Sequence, residues 1–277
     1  MILVADAGSS KIDWAFIEKN KVLRFQTAGT NPSILPNAAS ITAIWNEATT
    51  QFPKTIQEAH FFGAGCRNEA SNIKIKEALN QTFKITGEIE VDSDIIGAAK
   101  SLYGAKKGNV LILGTGLNTG YYDGSSIPFK TPALGYLLGD EGSGCDIGKT
   151  ILSRFIRQQL RPELAAILQE FLTTERIPDP IAYIYGQQTP NKAIAGILTA
   201  FKAHLNNPDL RDIVRERFDV MIENNCLDYR NFTTEFKAVG SIAYYFNNEL
   251  KAALNKYNFQ LTQVAQSPIE ALIKFYS

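Results

Sequence analysis

Hydrophobic and polar positions near the N-terminus repeat with the period of β-strands. Residues 2–5 form a continuous apolar run, which predicts a buried strand that ends at a Gly/Ser-rich turn. The residues that follow alternate between apolar and polar and predict an antiparallel hairpin, closed by a polar turn at 18–21. The apolar members of this alternation are Ile12, Trp14, Phe16, Val22 and Phe25. The chain is therefore predicted to open with a β-sheet.

The next segment alternates between helical and strand patterns. Apolar residues recur at helical spacing over 38–52, and a second helix is predicted over 70–82. Short strands are predicted at 60–62 and 89–91, and a further helix over 94–102. Regular alternation of strands and helices is typical of an α/β fold.

A second unit with the same order of features begins near residue 107. An apolar strand at 110–113 leads into a Gly/Thr-rich turn, a short return strand and a polar turn. The first unit has the same order, and Gly8 and Gly116 occupy equivalent places in the two units. This repetition predicts a duplicated sheet-and-hairpin unit.

These patterns divide the chain into two predicted domains. The N-terminal domain is expected over residues 1–106 and the C-terminal domain over residues 107–267. The second domain contains a helical insertion over about 144–230, in which prolines separate the helices. The last helix, over about 268–277, is expected to pack back on the N-terminal domain.

The composition excludes several classes of protein. With 45% hydrophobic residues over 277 positions, the chain can bury a core in each domain. Its 28 basic and 28 acidic residues balance, so we expect neither nucleic acid nor a membrane surface as a partner. The N-terminal apolar run is too short for a signal peptide, and no run approaches the roughly 20 residues that cross a bilayer. The cysteines, Cys66, Cys145 and Cys226, show no paired spacing, so we expect a cytoplasmic protein.

Small and polar residues cluster in the turn after the first strand. Gly8, Ser9, Ser10 and Lys11 form the turn, and Asp6 precedes it. Glycine lets backbone N–H groups approach phosphate oxygens, while the hydroxyls and the lysine add hydrogen bonds and charge. The carboxylate of Asp6 can hold a hydrated magnesium ion. An ordinary hairpin turn with a solvated lysine is the alternative interpretation.

A second Gly-rich turn follows the strand at 110–113. It contains Gly114, Thr115 and Gly116, at the matching point of the duplicated unit. We therefore expect both turns to bind one triphosphate. The segment 148–150 ends like a Walker A loop, but a serine stands where that motif needs its first glycine. A P-loop nucleotide-binding fold is not expected.

Two adjacent carboxylates precede the helical insertion. Asp140 and Glu141 lie among the glycines of segment 139–144. They can contact a substrate, or they can join Ser143 in capping the helix that begins at about Cys145. Both interpretations stay open on the residues alone.

A further carboxylate marks the start of the helix over 94–102. Asp94 follows a predicted strand and stands where an N-cap residue would. A carboxylate at a strand end that faces a cleft can also act as general base for a hydroxyl nucleophile. Capping alone explains an aspartate there, and Asp92 is a near neighbour of the same chemistry.

Five segments together resemble the BadF/BadG/BcrA/BcrD-type ATPase family, and within it the N-acetylglucosamine kinases. They occur in the family's order over nearly the whole chain: 6–11, 94–98, 113–120, 139–144 and 239–243. Ala7 and Ser10 stand where many members of the family have glycine and threonine. The resemblance implies two actin-like, ribonuclease H-like domains with ATP and a sugar bound in a cleft between them.

The resemblance also implies a role for individual residues. Asp94 takes the place of the catalytic base, and Asp6 holds Mg²⁺ through water. The phosphate-binding residues are Gly8, Ser9, Ser10, Lys11, Gly114, Thr115 and Gly116. The residues that approach the nucleoside are Gly240, Ser241 and Ala243. The residues that hold the sugar are Asn31, Asn118, Gly135 and Asp140.

The implied reaction is transfer of the γ-phosphate of ATP to the 6-hydroxyl of N-acetylglucosamine, with Mg²⁺ as cofactor. A kinase for N-acetylmuramic acid or glucosamine would use the same fold and phosphate machinery. Two further alternatives are an ATPase that activates a 2-hydroxyacyl-CoA dehydratase and a sugar sensor without catalysis. The expected partner is a small amino sugar, and a homodimer is left open.

Overall fold

The computed structural model of the chain describes residues 1–8, 10–19, 21–49 and 51–277. It describes the side chains of all these residues except 46–49. The chain forms two compact units, which are described separately. The first unit comprises Met1–Lys107, Tyr122–Ile127 and the C-terminal Ser267–Ser277. The second unit comprises Gly108–Tyr121 and Pro128–Gln266.

The first unit is a mixed sheet with helices. Its strands are β1 (Ile2–Ala7), β2 (Lys11–Glu18), β3 (Lys21–Ala28), β4 (Thr55–Ile56), β5 (Glu58–Gly63), β6 (Lys84–Ile85) and β7 (Ile89–Ser93). Its helices are α1 (Ala38–Thr49), α2 (Glu69–Thr82), α3 (Asp94–Tyr103) and the C-terminal α12 (Ile269–Phe275).

The main sheet of the first unit has the order β3-β2-β1-β5-β7. The first three strands are antiparallel neighbours, whereas β5 and β7 run parallel to β1. The sequence explains this order, because the alternating strands form hairpins and each parallel strand follows a helix. Aromatic side chains fill one core of the unit, where the rings of Trp14 and Trp45 meet edge to face at 5.1 Å.

The second unit contains a smaller sheet and a long helical segment. Its strands are β8 (Gly108–Leu113), β9 (Leu117–Tyr122), β10 (Glu235–Val239) and β11 (Gln260–Ala265). Its helices are α4 (Gly135–Leu138), α5 (Gly144–Ile156), α6 (Pro162–Thr174), α7 (Pro180–Tyr185), α8 (Pro190–Gly196), α9 (Pro208–Asn225), α10 (Ser241–Tyr245) and α11 (Asn247–Lys256), with 3₁₀ helices at Ile197–His204 and Leu227–Asn231.

The second sheet repeats the topology of the first. Its order is β11-β10-β8-β9, and β10 lies parallel to both β8 and β11. Strand β8 therefore corresponds to β1, β9 to β2, and β10 and β11 to β5 and β7. The third hairpin strand is reduced to a single antiparallel bridge between Tyr121 and Phe129. The duplicated sheet-and-hairpin unit predicted from the sequence is confirmed.

One local prediction was wrong by a single residue. The N-cap of α3 is Ser93, in an extended conformation, and Asp94 is the first helical residue. The neighbouring carboxylate of Asp92 accepts a hydrogen bond from the backbone N–H of Ser93, which favours that extended conformation.

The C-terminal helix α12 belongs to the first unit and is held there by polar contacts. Arg24 forms a two-pronged ion pair with Glu270 at 2.9 Å. Beyond the helix, the hydroxyl of Tyr276 donates to Glu90, which also bonds His60 and Lys100. Burial alone would raise the pKa of Glu90, but the hydrogen bonds from these partners lower it to about 2.

None of the described helices combines the length and the apolar character needed to cross a bilayer.

Helix α3 is packed so closely on β5 that a methyl group at Gly97 has no room. A Cβ built there would lie 2.5 Å from the Cβ of Phe62. We expect Gly97→Ala to lower the free energy of unfolding by about 1–3 kcal/mol, because over-packing displaces the helix. Urea denaturation measures this change.

The matched control is Gly196→Ala at the end of α8, where a Cβ would meet no atom within 4 Å. The added methyl should leave stability unchanged or raise it slightly, because alanine favours a helix over glycine. If Gly97→Ala proved as stable as the wild type, the close packing of α3 would not constrain its position.

Candidate functional site

The first predicted phosphate turn lies between β1 and β2. Gly8, Ser10 and Lys11 are described in it, and Ser9 lies outside the described residues. Lys11 forms an ion pair with Asp13 at 2.8 Å and is half exposed. A Cβ at Gly8 would meet the carbonyl oxygen of Lys11 at 3.4 Å and the backbone nitrogen of Ser10 at 4.0 Å, which are ordinary contact distances, so these atoms do not crowd Gly8. The turn therefore presents an open backbone beside a cation.

Three carboxylates influence one another at this turn. Asp6 and Asp13 are direct cross-strand partners in the β1–β2 register, so their side chains lie on the same face of the sheet. Burial, followed by the negative charges of Asp13 and Asp94, raises the pKa of Asp6 to about 7. Ser267 donates a weak hydrogen bond to Asp6 at 3.4 Å, and this bond and Lys11 lower the pKa only in part. The first unit thus concentrates negative charge beside the predicted phosphate turn.

Asp94 occupies the first position of α3, directly after β7. It is half buried, whereas the next residues of the helix are buried in the core. Gly97 lies one turn later and allows the close approach of α3 to Phe62. The backbone of Asp94 is therefore fixed by the sheet and by the packing of its helix. Its charge is close enough to Asp6 to raise the pKa of that carboxyl.

Asn31 is held by a local network in the first unit. Its side-chain oxygen accepts a hydrogen bond from the backbone N–H of Ser33 at 3.0 Å. Ser33 in turn donates to the carbonyl of Gly65 at 2.7 Å. Gly65 has a φ of +89°, and a Cβ there would lie 2.0 Å from the Asn31 oxygen. The oxygen of Asn31 is therefore engaged in the protein, and its Nδ2 amide has no hydrogen-bond partner among the described residues.

The three cysteines are buried and form no disulfide. Burial raises the pKa of Cys66 and Cys226 to about 12, and that of Cys145 to about 11. These thiols are protonated at neutral pH, so they behave as small apolar core residues.

The second predicted phosphate turn is anchored to the N-terminus of α5. The N–H of Gly144 donates to the carbonyl of Gly114 at 2.8 Å, and the N–H of Cys145 donates to the carbonyl of Thr115 at 3.1 Å. In a planar trans peptide the N–H points opposite to the C=O. The N–H groups of Thr115 and Gly116 therefore point away from α5. This is the backbone orientation that an anion-binding turn requires.

Asp140 reaches back to the same turn. Its Oδ1 accepts a hydrogen bond from the N–H of Leu117 at 3.1 Å. A Cβ at Gly116 would lie 2.9 Å from the other carboxylate oxygen. Gly116 thus makes room for Asp140, in addition to the phosphate role predicted for it. By contrast, a Cβ at Gly114 would meet no atom within 4 Å.

Asn118 and Asp140 line one pocket of the second unit. The cavity volume of this pocket is only ≈ 10 Å³, so it is a shallow concave wall and not an enclosing cavity. Its polar lining residues are Asn118, Thr119, Thr131, Asp140, Glu141 and Asn225, and its less polar ones are Leu117, Pro132, Ala133, Leu134 and Gly139. Two of the residues predicted to hold a sugar therefore share a concave surface.

The wall of this pocket rests on contacts that the sequence did not reveal. Glu141 accepts hydrogen bonds from the side-chain amides of Asn224 and Asn225 on α9. Tyr229 donates to Thr119 and accepts from the N–H of Thr131, both at 3.0 Å. These partners are about a hundred residues apart in sequence, so no local pattern could have identified them.

The capping of α5 separates the roles of the polar residues before it. Ser143 is the N-cap and accepts from the N–H of Asp146. The buried carboxylate of Asp146 pairs with Arg217 at 2.7 Å and accepts from the N–H of Gly142 at 2.9 Å. Asp140 and Glu141 do not serve as the cap. The capping interpretation of these two residues is therefore wrong, and their contact with a substrate stays a prediction.

The remaining predicted residues are less clearly placed in a site. Gly135 begins α4 with a φ of +73° and is not among the residues that line the pocket. Gly240 has a φ of +120°, and a Cβ there would lie 2.3 Å from the carbonyl oxygen of Leu113. Ser241 is exposed at the start of α10, whereas Ala243 is fully buried in the core. Gly240 therefore has a structural reason to be glycine.

Solved structures share this fold over the whole chain. An N-acetylglucosamine kinase candidate from Porphyromonas gingivalis is 34% identical, with a TM-score of 0.87 over 100% of this chain and 98% of that one. A similar candidate from Chromobacterium violaceum has 14% identity and a TM-score of 0.72, over 100% and 98% of the two chains. A ROK family glucokinase from Streptomyces griseus has 16% identity and a TM-score of 0.60, over 99% and 97%. The last two likenesses concern the fold alone.

No protein-family model and no curated protein sequence matches the chain. The identity with the Porphyromonas gingivalis protein extends over the full length, and the duplicated sheet topology agrees with it. The chain belongs to the family of N-acetylglucosamine kinase-like proteins.

Proposed function

We propose that this sugar kinase transfers the γ-phosphoryl group of ATP to an amino sugar, with N-acetylglucosamine as the substrate and its 6-hydroxyl as the acceptor. Membership of the family supports the reaction class. The pocket shared by Asn118 and Asp140 is the observation that carries the proposed substrate.

The lining of this pocket suits an acetamido sugar. Asn118 and Asp140 offer an amide and a carboxylate, which can hydrogen-bond sugar hydroxyls. Pro132, Ala133 and Leu134 form an apolar stretch of the same wall. A methyl group gains from contact with such a surface, whereas a hydroxyl loses its water there. The combination supports a substrate with both hydroxyls and an N-acetyl methyl.

The two Gly-rich turns supply the proposed contacts to ATP. In the second turn the N–H groups of Thr115 and Gly116 point away from α5 and can donate to phosphate oxygens. In the first turn Gly8, Ser10 and Lys11 offer an open backbone, a hydroxyl and an ammonium group. Phosphoryl transfer depends mainly on such positioning and on neutralising the charge that spreads over the phosphate.

Asp94 is the proposed general base. It would accept the proton of the attacking sugar hydroxyl, a task that needs a carboxylate held in a fixed place. Its position at the start of a tightly packed helix supports this role. The charge of Asp94 contributes to the raised pKa of Asp6, and a cation bound nearby would oppose that effect.

The first turn also fits a magnesium ion held through water. Within the described residues, no group of three His, Cys, Asp or Glu side chains is arranged to enclose a metal ion directly. The charges of Asp6, Asp13 and Asp94 are nevertheless only partly balanced by Lys11. Such an excess suits Mg²⁺, which keeps several waters and shares itself with substrate phosphates. When bound, the ion would neutralise charge on the phosphates of ATP.

The first prediction concerns the substrate. ATP consumption should be measured across N-acetylglucosamine, glucosamine, N-acetylmuramic acid and glucose, with the product identified by ³¹P NMR. We expect the highest kcat/KM for N-acetylglucosamine and a phosphate on its 6-hydroxyl, because the apolar wall favours the acetamido methyl. Equal efficiency on glucose would contradict the substrate assignment, and the absence of transfer to any of these sugars would contradict the kinase itself.

The second prediction separates the roles of two carboxylates. Asp94→Asn keeps the size of the side chain but removes the proton acceptor, so kcat should fall by roughly 100- to 10,000-fold with little change in the sugar KM. Asp140→Asn should mainly raise the sugar KM, because it weakens a contact made in both ground and transition states. Steady-state kinetics measures both, with circular dichroism to verify folding. A large loss of kcat in Asp140→Asn beside a near-normal Asp94→Asn would reverse the assignment.

The third prediction uses the raised pKa of Asp6. The folded protein holds this proton up to about pH 7, whereas an unfolded aspartate has a pKa near 3.8. The folded state therefore binds more protons between these values, and its stability falls as the pH rises through this window. Asp6→Asn removes this effect, so its gain over the wild type should be larger at pH 8 than at pH 4.5, by on the order of a few kcal/mol.

Urea denaturation without nucleotide or Mg²⁺ measures this gain. Asp123→Asn is the control, because hydrogen bonds from Ser126 and Ser125 lower the pKa of that exposed carboxyl. It should lose stability at pH 8 rather than gain it. A pH-independent difference between Asp6→Asn and the wild type would show that burial and the neighbouring carboxylates do not raise the pKa of Asp6.

A further inference from the structure

The helical segment of the second unit contains two adjoining cavities that the proposed kinase reaction does not use. One has a volume of ≈ 440 Å³ and lies beside α6, and the other has a volume of ≈ 310 Å³ and lies among α6, α7 and α8. They share Leu172, Ile177 and Pro180 in their walls. Both volumes fall within the range of about 300–1,000 Å³ that is usual for small-molecule sites.

The cavity among the three helices has an apolar body and one cationic group. Phe171, Ile184 and Ile197 contribute to its apolar wall, and Lys192 lies in the same lining. Lys192 is partly buried, and desolvation lowers its pKa. Among the described residues it has no ion-pair partner, although Glu175 lines the same cavity. An ammonium group that has lost water without gaining a carboxylate is stabilised by an anionic ligand.

We propose that this cavity is a binding site for a small amphipathic monoanion, whose apolar chain lies against α6 and α7 and whose anionic group pairs with Lys192. The adjoining cavity, which Arg176 also lines, gives the chain room to extend. Lys192 and Arg176 together exceed the charge of Glu175 by one, which matches a single negative charge on the ligand.

The position of α8 connects this site with the second Gly-rich turn. Lys192, Ala193 and Gly196 line the cavity, whereas Ile194 and Ala195 lie on the other side of the helix. On that other side α8 packs against α5, so closely that a Cβ at Gly148 would lie 2.3 Å from the carbonyl oxygen of Ile194.

The N-terminus of α5 carries the hydrogen bonds from Gly144 and Cys145 to the second turn. A ligand that fixes α8 therefore stabilises this anchor as well. The strength of these hydrogen bonds can be measured without catalysis. The effect of the ligand on the turn is therefore tested independently of the proposed kinase reaction.

Isothermal titration calorimetry with octanoate, 1-octanol and inorganic phosphate tests the site. Octanoate should bind the wild type, and Lys192→Met should weaken it by at least about ten-fold, the loss typical of a bond to a charged group. The same variant should bind 1-octanol as well as the wild type does. Lys202→Met, an exposed lysine on the following 3₁₀ helix, is the matched control and should bind octanoate normally.

A second variant fills the cavity without depending on charge. Gly196→Leu places a side chain where a Cβ meets no atom within 4 Å, so the protein should fold and lose both octanoate and 1-octanol. Unchanged octanoate affinity in Lys192→Met or in Gly196→Leu would overturn the site, as would binding of inorganic phosphate alone or no binding of octanoate.

Hydrogen exchange tests the connection to α5. With octanoate at ten times its Kd, exchange of the Gly144 and Cys145 amides should slow by up to about ten-fold, because local opening must compete with binding. The Lys192→Met variant, with its at least ten-fold weaker binding, should show slowing of no more than about two-fold at the same concentration. Binding that leaves these amides unchanged would overturn the proposed effect on the second turn.

Discussion

The close approach of three backbone segments at the end of β8 is the constraint on which the second unit depends. The carbonyl groups of Gly114 and Thr115 accept hydrogen bonds from the first residues of α5, and Gly240 lies against the carbonyl of Leu113. Every one of these carbonyls therefore faces protein. Because peptide groups are planar, the N–H groups of Thr115 and Gly116 face away from α5, which is the orientation that the proposed contact with phosphate requires.

The two halves of the duplicated unit differ in charge at one equivalent position. Gly8 corresponds to Gly116, so Asp6 in β1 corresponds to Gly114 at the end of β8. The first half places a carboxylate there, whose pKa is raised by burial and by the charges of Asp13 and Asp94. The second half has no side chain at the same position and offers backbone dipoles instead. The same backbone topology thus carries a buried carboxylate in one half and a glycine in the other.

Sequence patterns were sufficient for the fold because its elements are defined locally. The apolar runs of β1 and β8, the hairpin alternation and the helical spacing each lie within one continuous segment. The positions of the candidate phosphate turns could be predicted for the same reason, since each Gly-rich turn directly follows its strand. The cross-strand pairing of Asp6 with Asp13 was also open to prediction, because the register of a hairpin follows from its turn.

The rest of the site depends on contacts between distant segments, which leave no local pattern. Asp146 and Arg217 form a buried ion pair across much of the helical insertion, and Glu141 is held by amides of α9. The close packing of the Asp140 carboxylate on Gly116 is likewise a contact between separate segments. A glycine in a short motif can be required for a ligand or for a neighbouring side chain, and only the folded chain distinguishes the two.

The backbone of Asp140 links this contact to the proposed function. Five non-glycine residues among those described have a positive φ, a conformation that costs free energy for an L-residue. Four of them are exposed at turns or helix ends: Lys19, Gln158, Arg176 and Asn258. Asp140 is half buried, lines the pocket and is held by the N–H of Leu117. Strain of this kind persists where surrounding contacts fix it, and it concentrates at ligand sites. The strained conformation of Asp140 therefore supports its proposed contact with the sugar over a role in the turn alone.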